Sequence, residues 1–307
     1  MADTASVGSV LIPEMEKKGY PRDFAAAVTV SGSVQAILIP PSHNAVLYSL
    51  AAGGSVSIAA LFMAGVLPGL LMGLTLAALC LITARRRNYP KGEVIALKQA
   101  LMTMVIILGG ILSGVFTANE SASIAVLWAF FVTMFIYRDY KWRDLPRLVH
   151  RTVKTVTVVM ILIGFAAAFG YLMTLMMIPM KVTAFITSLS DNKYVILGLI
   201  NLLLMLLGCL MDMSPLILIL TPILLPVATS LGIDPVHFGM IMMVNLGIGL
   251  ITPPVGTVLF VGSAVAKLSL GVVTRAMMPF FIALFILLLM VTYMPWLSLW
   301  LPRLLGL

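Results

Sequence analysis

The sequence predicts an all-α, polytopic membrane protein. Of its 307 residues, 61% are hydrophobic and only 10% are charged, whereas a soluble domain carries about 25% charged residues to face water. The apolar residues are grouped into runs that approach the roughly 20 residues a helix needs to cross a bilayer. This composition excludes a soluble enzyme, a disordered chain and a small disulfide-bonded scaffold.

Nine apolar runs are candidate membrane segments. They are residues 24–50, 57–84, 101–118, 121–137, 155–178, 194–211, 214–231, 238–266 and 277–301. Their lengths and spacing predict a multi-pass protein in which most of the chain lies within the bilayer.

The basic residues predict how these segments are oriented. Eleven of the nineteen Lys and Arg residues lie in two segments, 85–98 and 138–154. Because basic loops stay on the cytoplasmic side, both segments should be cytoplasmic, and the two runs between them should form a hairpin with its external turn near residues 117–120. The net charge of +8 therefore indicates orientation in a membrane, and no nucleic-acid partner is expected.

Two of the apolar runs are interrupted by a double proline. Pro40-Pro41 lies inside run 24–50, and Pro253-Pro254 lies inside run 238–266. Proline removes a backbone donor and clashes with the preceding turn, so the helix cannot continue through the pair. The carbonyl groups freed in hydrocarbon must be satisfied by protein, water or an ion. A simple kink, or a break at the membrane surface, is the alternative interpretation.

The two breaks belong to two copies of one sequence pattern. A shift of 213 residues superposes, without a gap, Leu11-Ile12-Pro13 on Leu224-Leu225-Pro226, Gly19 on Gly232, and Pro40-Pro41 on Pro253-Pro254. The linking segment of the first copy carries Lys17, Lys18 and Arg22, whereas that of the second carries Asp234 and His237. By the positive-inside rule the two linking segments lie on opposite sides of the membrane. The sequence therefore predicts an inverted repeat, with copies at 1–55 and 212–267.

Inverted repeats with broken helices are typical of secondary transporters, whose substrate and ion sites lie near the membrane midplane. Carbonyl and hydroxyl oxygens suit Na⁺, and helix N-termini suit an anionic substrate. Run 194–211 precedes the second copy, and its equivalent would lie upstream of Met1. We expect either an asymmetric repeat or, preferably, a chain that lacks its beginning.

Five motifs follow one another along the chain. They are Met1-Ala2-Asp3-Thr4-Ala5 with Leu11-Ile12-Pro13 and Lys17-Lys18-Gly19-Tyr20; Ile39-Pro40-Pro41-Ser42; Gly114-Val115-Phe116-Thr117 with Glu120; Met211-Asp212 before Leu220-Thr221-Pro222; and Gly249-Leu250-Ile251-Thr252-Pro253-Pro254-Val255-Gly256. Together they resemble the large permeases of TRAP (tripartite ATP-independent periplasmic) transporters, the dicarboxylate-transporter M-subunit family. The resemblance covers residues 1–307 as one transmembrane domain and about the last three-quarters of a family member, without the first helices.

The resemblance implies an elevator-type, Na⁺-coupled importer of organic acid anions, such as C4-dicarboxylates or sugar acids. Such a permease is a multi-pass protein of the cell inner membrane and lies in membrane lipid. It works with a small TRAP membrane subunit and with a periplasmic solute-binding protein. It is not an enzyme, and it needs no cofactor and no metal other than Na⁺ as the coupling ion.

The resemblance also implies two Na⁺ sites and a substrate site. One Na⁺ site would use Gly208, Gly249, Thr252 and Val255, and the other Ala36, Ile39 and Pro41 with serines that this chain lacks. The shift of 213 residues carries Ala36 to Gly249 and Ile39 to Thr252, which supports the same assignment. The substrate-binding candidates are Ser42, His43, Asn44, Asp212 and Asn245. The chain departs from the usual family pattern at Ala36-Ile37 and His43-Asn44.

Asp212 is the carboxylate that the apolar pattern places well inside the membrane. An intramembrane acid costs roughly 2.5–3.5 kcal/mol on insertion scales, which favours a functional role. A helix cap before Ser214, with Pro215 in the first turn, is the equally weighted alternative. His237 is expected in a solvated loop.

Three other functions compete with the transporter. An intramembrane aspartyl protease would need a second intramembrane aspartate beside Asp212, a metalloprotease a His-Glu-x-x-His helix, and a rhomboid-like enzyme a serine motif paired with His43; the sequence has none of these. A channel is disfavoured by the inverted broken helices. An inactive fragment of a permease is the third alternative.

Overall fold

The computed structural model describes residues 2–89, 130, 134–135, 141–190 and 192–307. The chain divides into two compact units, one of residues 1–92 and 169–307 and the other of residues 93–168. The first unit contains both double prolines and every predicted site residue. Every regular element of the described residues is a helix, as the sequence predicts.

The α-helices are, in chain order, α1 (Ala2–Lys17), α2 (Arg22–Leu38), α3 (His43–Ala51), α4 (Ile58–Arg86), α5 (Leu145–Leu175), α6 (Ile178–Leu189), α7 (Lys193–Leu210), α8 (Met213–Ser230), α9 (Pro235–Gly249), α10 (Thr257–Ala266), α11 (Leu270–Tyr293) and α12 (Trp296–Leu304). A 3₁₀ turn, Trp142–Asp144, precedes α5.

Four of these helices, α4, α7, α8 and α11, are long and apolar enough to cross a membrane. A fifth candidate is the pair α2 and α3, which together qualify but are bent by 48° at their junction. The chain is therefore a multi-pass membrane protein. The predicted runs 101–118 and 121–137, with the turn at 117–120, lie outside the described residues apart from 130 and 134–135.

Both predicted helix breaks are confirmed. Helix α2 ends at Leu38 and α3 begins at His43, so Pro40-Pro41 lies between them. Helix α9 ends at Gly249 and α10 begins at Thr257, with Pro253-Pro254 between them. The bond within each proline pair is cis.

The helix boundaries of the two copies differ by the shift found in the sequence. Helix α1 ends at Lys17 and α8 at Ser230, while α2 begins at Arg22 and α9 at Pro235, each a difference of 213 residues. The equivalent glycines Gly19 (φ 84°) and Gly232 (φ 72°) make the turn in each copy, because only glycine adopts positive φ without steric cost. Helix α1 packs on α10, and α8 packs on α3. This reciprocal packing is what a two-fold repeat requires; the inversion across a membrane stays a prediction.

Several boundaries differ from the predicted runs, and two of them have a clear physical reason. Run 277–301 was expected to be one segment, but α11 ends at Tyr293 and α12 begins at Trp296. Pro295 supplies the reason, since the residue before a proline, Met294, is disfavoured in helical geometry. Helix α5 begins at Leu145 rather than at 155, because basic residues end an apolar run without ending a helix.

Candidate functional site

A cavity of about 370 Å³ lies where the broken helix of the first copy meets the second copy. Its walls come from the end of α2, the start of α3, the start of α8 and the end of α9. Four of the predicted substrate-binding residues line it: Ser42, His43, Asn44 and Asp212. Ala36 and Pro41 line it as well, and so do the hydroxyl-bearing residues Ser33 and Ser214, which the sequence argument did not select.

Two helix N-termini open onto this cavity. Ser42 is the N-cap of α3 and Asp212 is the N-cap of α8, and neither side chain makes a capping hydrogen bond. The first-turn N–H groups of a helix have no partner within the helix and carry partial positive charge. The cavity therefore presents two sets of backbone donors suited to an anionic group.

The position of Asp212 bears on the two roles considered for it. The residue occupies the cap position of α8, as the structural interpretation requires, but its carboxylate accepts no capping hydrogen bond. It faces the cavity together with His43 and Ser214. The carboxylate is therefore available to a ligand in the cavity, and a role in substrate binding stays a prediction.

Among the other polar groups of the cavity, Ser33 Oγ donates to the Val30 carbonyl oxygen (2.7 Å), whereas the groups at the start of α3 are weakly paired within the protein. His43 Nε2 lies 3.5 Å from Ser214 Oγ, which connects α3 to α8. Ser42 Oγ and Asn44 Oδ1 are buried and have no hydrogen-bond partner in the protein. An unpaired buried polar atom costs about 1–3 kcal/mol, so the site is unfavourable as a purely structural feature.

The predicted Na⁺ ligands of the second copy come together at the ends of α7 and α9. A β-carbon on Gly249 would lie 2.7 Å from the backbone C and Cα atoms of Gly208. The N–H of Thr252 donates to the Gly249 carbonyl oxygen (2.9 Å), and the N–H of Gly256, next to Val255, donates to the Cys209 carbonyl oxygen (3.1 Å). Helix-end carbonyls lack partners within their helix and carry partial negative charge. The Gly249 and Cys209 carbonyl oxygens each already accept one hydrogen bond and keep a second lone pair, and the Na⁺ site stays a prediction.

The hydroxyl of Thr252 already has a role within the protein. Thr252 Oγ1 donates to the Ile248 carbonyl oxygen at 2.7 Å. The oxygen keeps its acceptor lone pairs, so the hydroxyl and a cation are compatible. Val255 is exposed.

The predicted ligands of the first copy are divided between two cavities. Ala36 and Pro41 line the 370 Å³ cavity, whereas Ile39 lies with Gly32, Gln35 and Ala36 around a shallow pocket of about 400 Å³. Gly32 is exposed, and a β-carbon there would meet no atom within 4 Å. The equivalent position in the second copy, Asn245, is fully buried against α7.

Asn245 does not line the substrate cavity. Its side chain is completely buried, and its amide nitrogen donates to the backbone oxygen of Asn201 (2.9 Å) and to Asn201 Oδ1 (2.7 Å). The side chain faces α7 rather than the cavity, because α9 is buried on all sides.

The expectation for His237 is wrong. His237 lies in the first turn of α9, because Asp234 Oδ1 accepts hydrogen bonds from the Val236 and His237 N–H groups and caps the helix there. Its ring is buried, with Nδ1 3.2 Å from Ser298 Oγ and Nε2 3.3 Å from the Thr292 carbonyl oxygen. The sequence signal was Asp234 followed by Pro235, a cap and a first-turn proline.

Comparison with known proteins identifies the family. Residues 1–297 match the family described as "Tripartite ATP-independent periplasmic transporter, DctM component". The chain is 44% identical to the "Uncharacterized protein YgiK" of Salmonella typhimurium, over 99% of this chain and 72% of that protein. It is 41% identical to the C4-dicarboxylate TRAP transporter large permease protein DctM of Pseudomonas aeruginosa, over 99% and 73%. It is 37% identical to the 2,3-diketo-L-gulonate TRAP transporter large permease protein YiaN of Escherichia coli, over 96% and 71%.

Proposed function

Since the chain belongs to the family of DctM components of tripartite ATP-independent periplasmic transporters, we propose that it is the large membrane subunit of a Na⁺-coupled importer of organic acid anions. One observation carries this proposal: helix ends of both polarities meet around the two breaks. The N-termini of α3 and α8 open onto the polar cavity, and the C-termini of α7 and α9 meet beside it. The first pair suits an anion, and the second pair suits a cation.

The substrate is an organic acid anion of the C4-dicarboxylate or sugar-acid type. Relatives of this chain carry the names of a C4-dicarboxylate and of 2,3-diketo-L-gulonate, and both are small oxygen-rich carboxylates. In the cavity, Ser42, His43 and Asn44 at the start of α3 would bind the carboxylate. Asp212 and Ser214 at the start of α8, which line the same cavity, would accept hydrogen bonds from hydroxyl groups.

Two Na⁺ ions would bind at the breaks. Gly208, Gly249, Thr252 and Val255 would supply oxygens at the second break. Ala36, Ile39 and Pro41 would contribute carbonyls at the first. Uncharged carbonyl ligands leave the ions exchangeable, as a transport cycle requires.

The transport cycle would follow from the repeat. We propose that the two copies have opposite orientations in the inner membrane, and that the unit holding the cavity moves across the bilayer as an elevator. A small membrane subunit would support the moving unit, and a periplasmic binding protein would deliver the substrate.

The inverted orientation predicts opposite labelling at two equivalent positions. Lys17 and Ser230 are exposed, each ends the first helix of its copy, and they differ by 213 residues. On a background without Cys80 and Cys209, a membrane-impermeant thiol reagent applied to intact cells should modify Ser230→Cys and leave Lys17→Cys unmodified until the membrane is permeabilised. Equal labelling of both variants in intact cells would contradict the inverted repeat.

The role of Asp212 in substrate transport is tested by Asp212→Asn. Asparagine caps helices as well as aspartate does, so a capping role predicts unchanged unfolding temperature and unchanged uptake. We expect unchanged unfolding temperature but uptake reduced severalfold, because the cavity loses its carboxylate. The measurement is uptake of labelled dicarboxylates and sugar acids by cells that express this chain with the small subunit and binding protein. Uptake that persists without the binding protein would contradict the proposed function itself.

A further inference from the structure

A pair of buried amides joins α7 to α9 beside the proposed cation site. Asn201 lies on α7 and is 7% exposed, and Asn245 lies on α9 and is 0% exposed. The Asn245 amide nitrogen donates to both oxygens of Asn201, the backbone carbonyl at 2.9 Å and Oδ1 at 2.7 Å. Neither residue lines the substrate cavity.

The orientation of both amides is fixed by their partners. Both groups that Asn245 faces on Asn201 are acceptors, so the nitrogen of Asn245 must point toward α7. Asn201 Oδ1 accepts this bond, so its own nitrogen is free to donate to Thr292 Oγ1 on α11 (3.0 Å). The pair therefore connects α7, α9 and α11, and its donors and acceptors match in only one orientation of the two amides.

The amide pair and the glycine contact lie on the same helix–helix interface. Asn201 precedes Gly208 by seven residues, and Asn245 precedes Gly249 by four. Residues at these spacings share one face of a helix. Asn201 meets Asn245, and Gly208 meets Gly249 further along in both helices. The two helices therefore run in the same direction, and their ends lie close together.

The two contacts contribute differently to this interface. The glycine contact lets the backbones approach closely, but it contains no directional interaction that prevents sliding. The amide pair is directional, and it is buried where water cannot compete. A shift of α7 along α9 would break its hydrogen bonds and would move the Gly208 carbonyl relative to the Gly249 carbonyl.

We propose that the Asn201–Asn245 pair is the positioning element of the second cation site. This inference rests on the proposed function, because it assumes that a Na⁺ ion binds at the ends of α7 and α9. In this role neither asparagine needs to coordinate the ion, although Asn245 Oδ1 is buried without a hydrogen-bond partner in the protein. The pair holds the two helices in the register at which their terminal carbonyls converge on one point.

The test measures Na⁺ binding to the purified full chain through its unfolding temperature. A ligand that binds only the folded state raises this temperature as its concentration increases. The chain is titrated with NaCl, with choline chloride keeping the ionic strength constant. The variants are Asn245→Ala, which removes both bonds between α7 and α9, and Asn201→Ala, which removes the bond to Oδ1 and the bond to Thr292 but keeps the backbone acceptor. The control is Ser298→Ala, which removes the contact with His237 near the start of α9 and leaves the pair intact.

We expect the Na⁺ concentration for half of the maximal stabilisation to rise about 10-fold in Asn245→Ala, the lower end of what loss of a group supporting metal ligands costs. A smaller rise is expected for Asn201→Ala, whose backbone carbonyl still accepts a bond from Asn245. Ser298→Ala should lower the unfolding temperature without changing this concentration.

Two results would overturn the inference. If the asparagine variants lower the unfolding temperature equally at every Na⁺ concentration, the pair only stabilises the fold. If Ser298→Ala changes the Na⁺ concentration as much as they do, the effect is not specific to the pair. If Asn245→Ala does not fold, Asn201→Ala decides between these results. A wild-type chain that Na⁺ does not stabilise would instead overturn the proposed cation site, and the inference with it.

Discussion

Replacing Gly249 by alanine is expected to weaken Na⁺ binding at the end of α9 strongly. A β-carbon at this position would lie 2.7 Å from the backbone C and Cα atoms of Gly208, whereas carbon atoms pack best at about 3.5–4.0 Å. The obstacle is backbone rather than a movable side chain, so α7 and α9 must separate. Separation moves the terminal carbonyls of both helices away from a shared ion.

The measurement is the Na⁺ dependence of the unfolding temperature, with Gly198→Ala as the control. Gly198 also lies on α7, but a β-carbon there would lie 3.2 Å from the hydroxyl of Tyr293, which can move by a few tenths of an ångström. We expect Gly249→Ala to need at least about 10-fold more Na⁺, as when metal ligands are displaced, and Gly198→Ala to behave as the wild type. The same Na⁺ dependence in both variants would show that the second break is only a kink.

Replacing Gly65 by alanine is expected to destabilise the protein strongly. A β-carbon on Gly65, in α4, would overlap the carbonyl oxygen of Leu38 at the end of α2. Leu38 is the last residue before the first break, so relief of the overlap must move either α4 or the break itself. Overpacking typically costs about 1–3 kcal/mol, and a collision with backbone belongs at the upper end.

The control for Gly65 is Gly73 on the same helix. A β-carbon on Gly73 would meet the amide nitrogen of Gln35, the far end of a flexible side chain that can rotate away. Thermal unfolding in detergent should show a marked decrease for Gly65→Ala and little change for Gly73→Ala. Equal unfolding temperatures would mean that α4 does not support the first break in the way the structure indicates.

The sequence was sufficient to predict the elements that depend on local chemistry. Double prolines stop helices wherever they occur, so both breaks could be located without a structure. The repeat is also visible in the helix boundaries, since Arg22 and Pro235 each begin the second helix of their copy, although the sequence pattern placed Arg22 in the linking segment. Ser42, His43 and Asn44, at the start of α3, could be selected as cavity residues because they directly follow the first double proline.

The contacts between helices could not be predicted in this way. Nothing near Asn201 or Asn245 in the sequence indicates that the two side chains meet, because the two residues are 44 positions apart in the chain. Asn245 was therefore assigned to the cavity on polarity alone. His237 was expected in solvent for a similar reason, since its partners Thr292 and Ser298 come from α11 and from α12.

The close approach of Gly65 to Leu38 is another contact between helices that the sequence does not indicate. A glycine in a membrane helix is compatible with lipid contact, a kink or tight packing. Only the positions of the two backbones show that Gly65 is needed for packing, while Gly32 faces open space. Long-range geometry decides between these roles, and it has no local signature.

Coupling to Na⁺ is tested most directly by uptake into proteoliposomes. Vesicles containing this chain and its small subunit, supplied with the binding protein and a labelled organic acid, should accumulate substrate when NaCl is outside and choline chloride is inside. Accumulation should stop when choline replaces external Na⁺ or when a Na⁺ ionophore dissipates the gradient, and Gly249→Ala should accumulate far less substrate than the wild type at the same Na⁺ concentration. Equal uptake in Na⁺ and in choline by the wild-type protein would contradict a Na⁺-coupled mechanism at the broken helices.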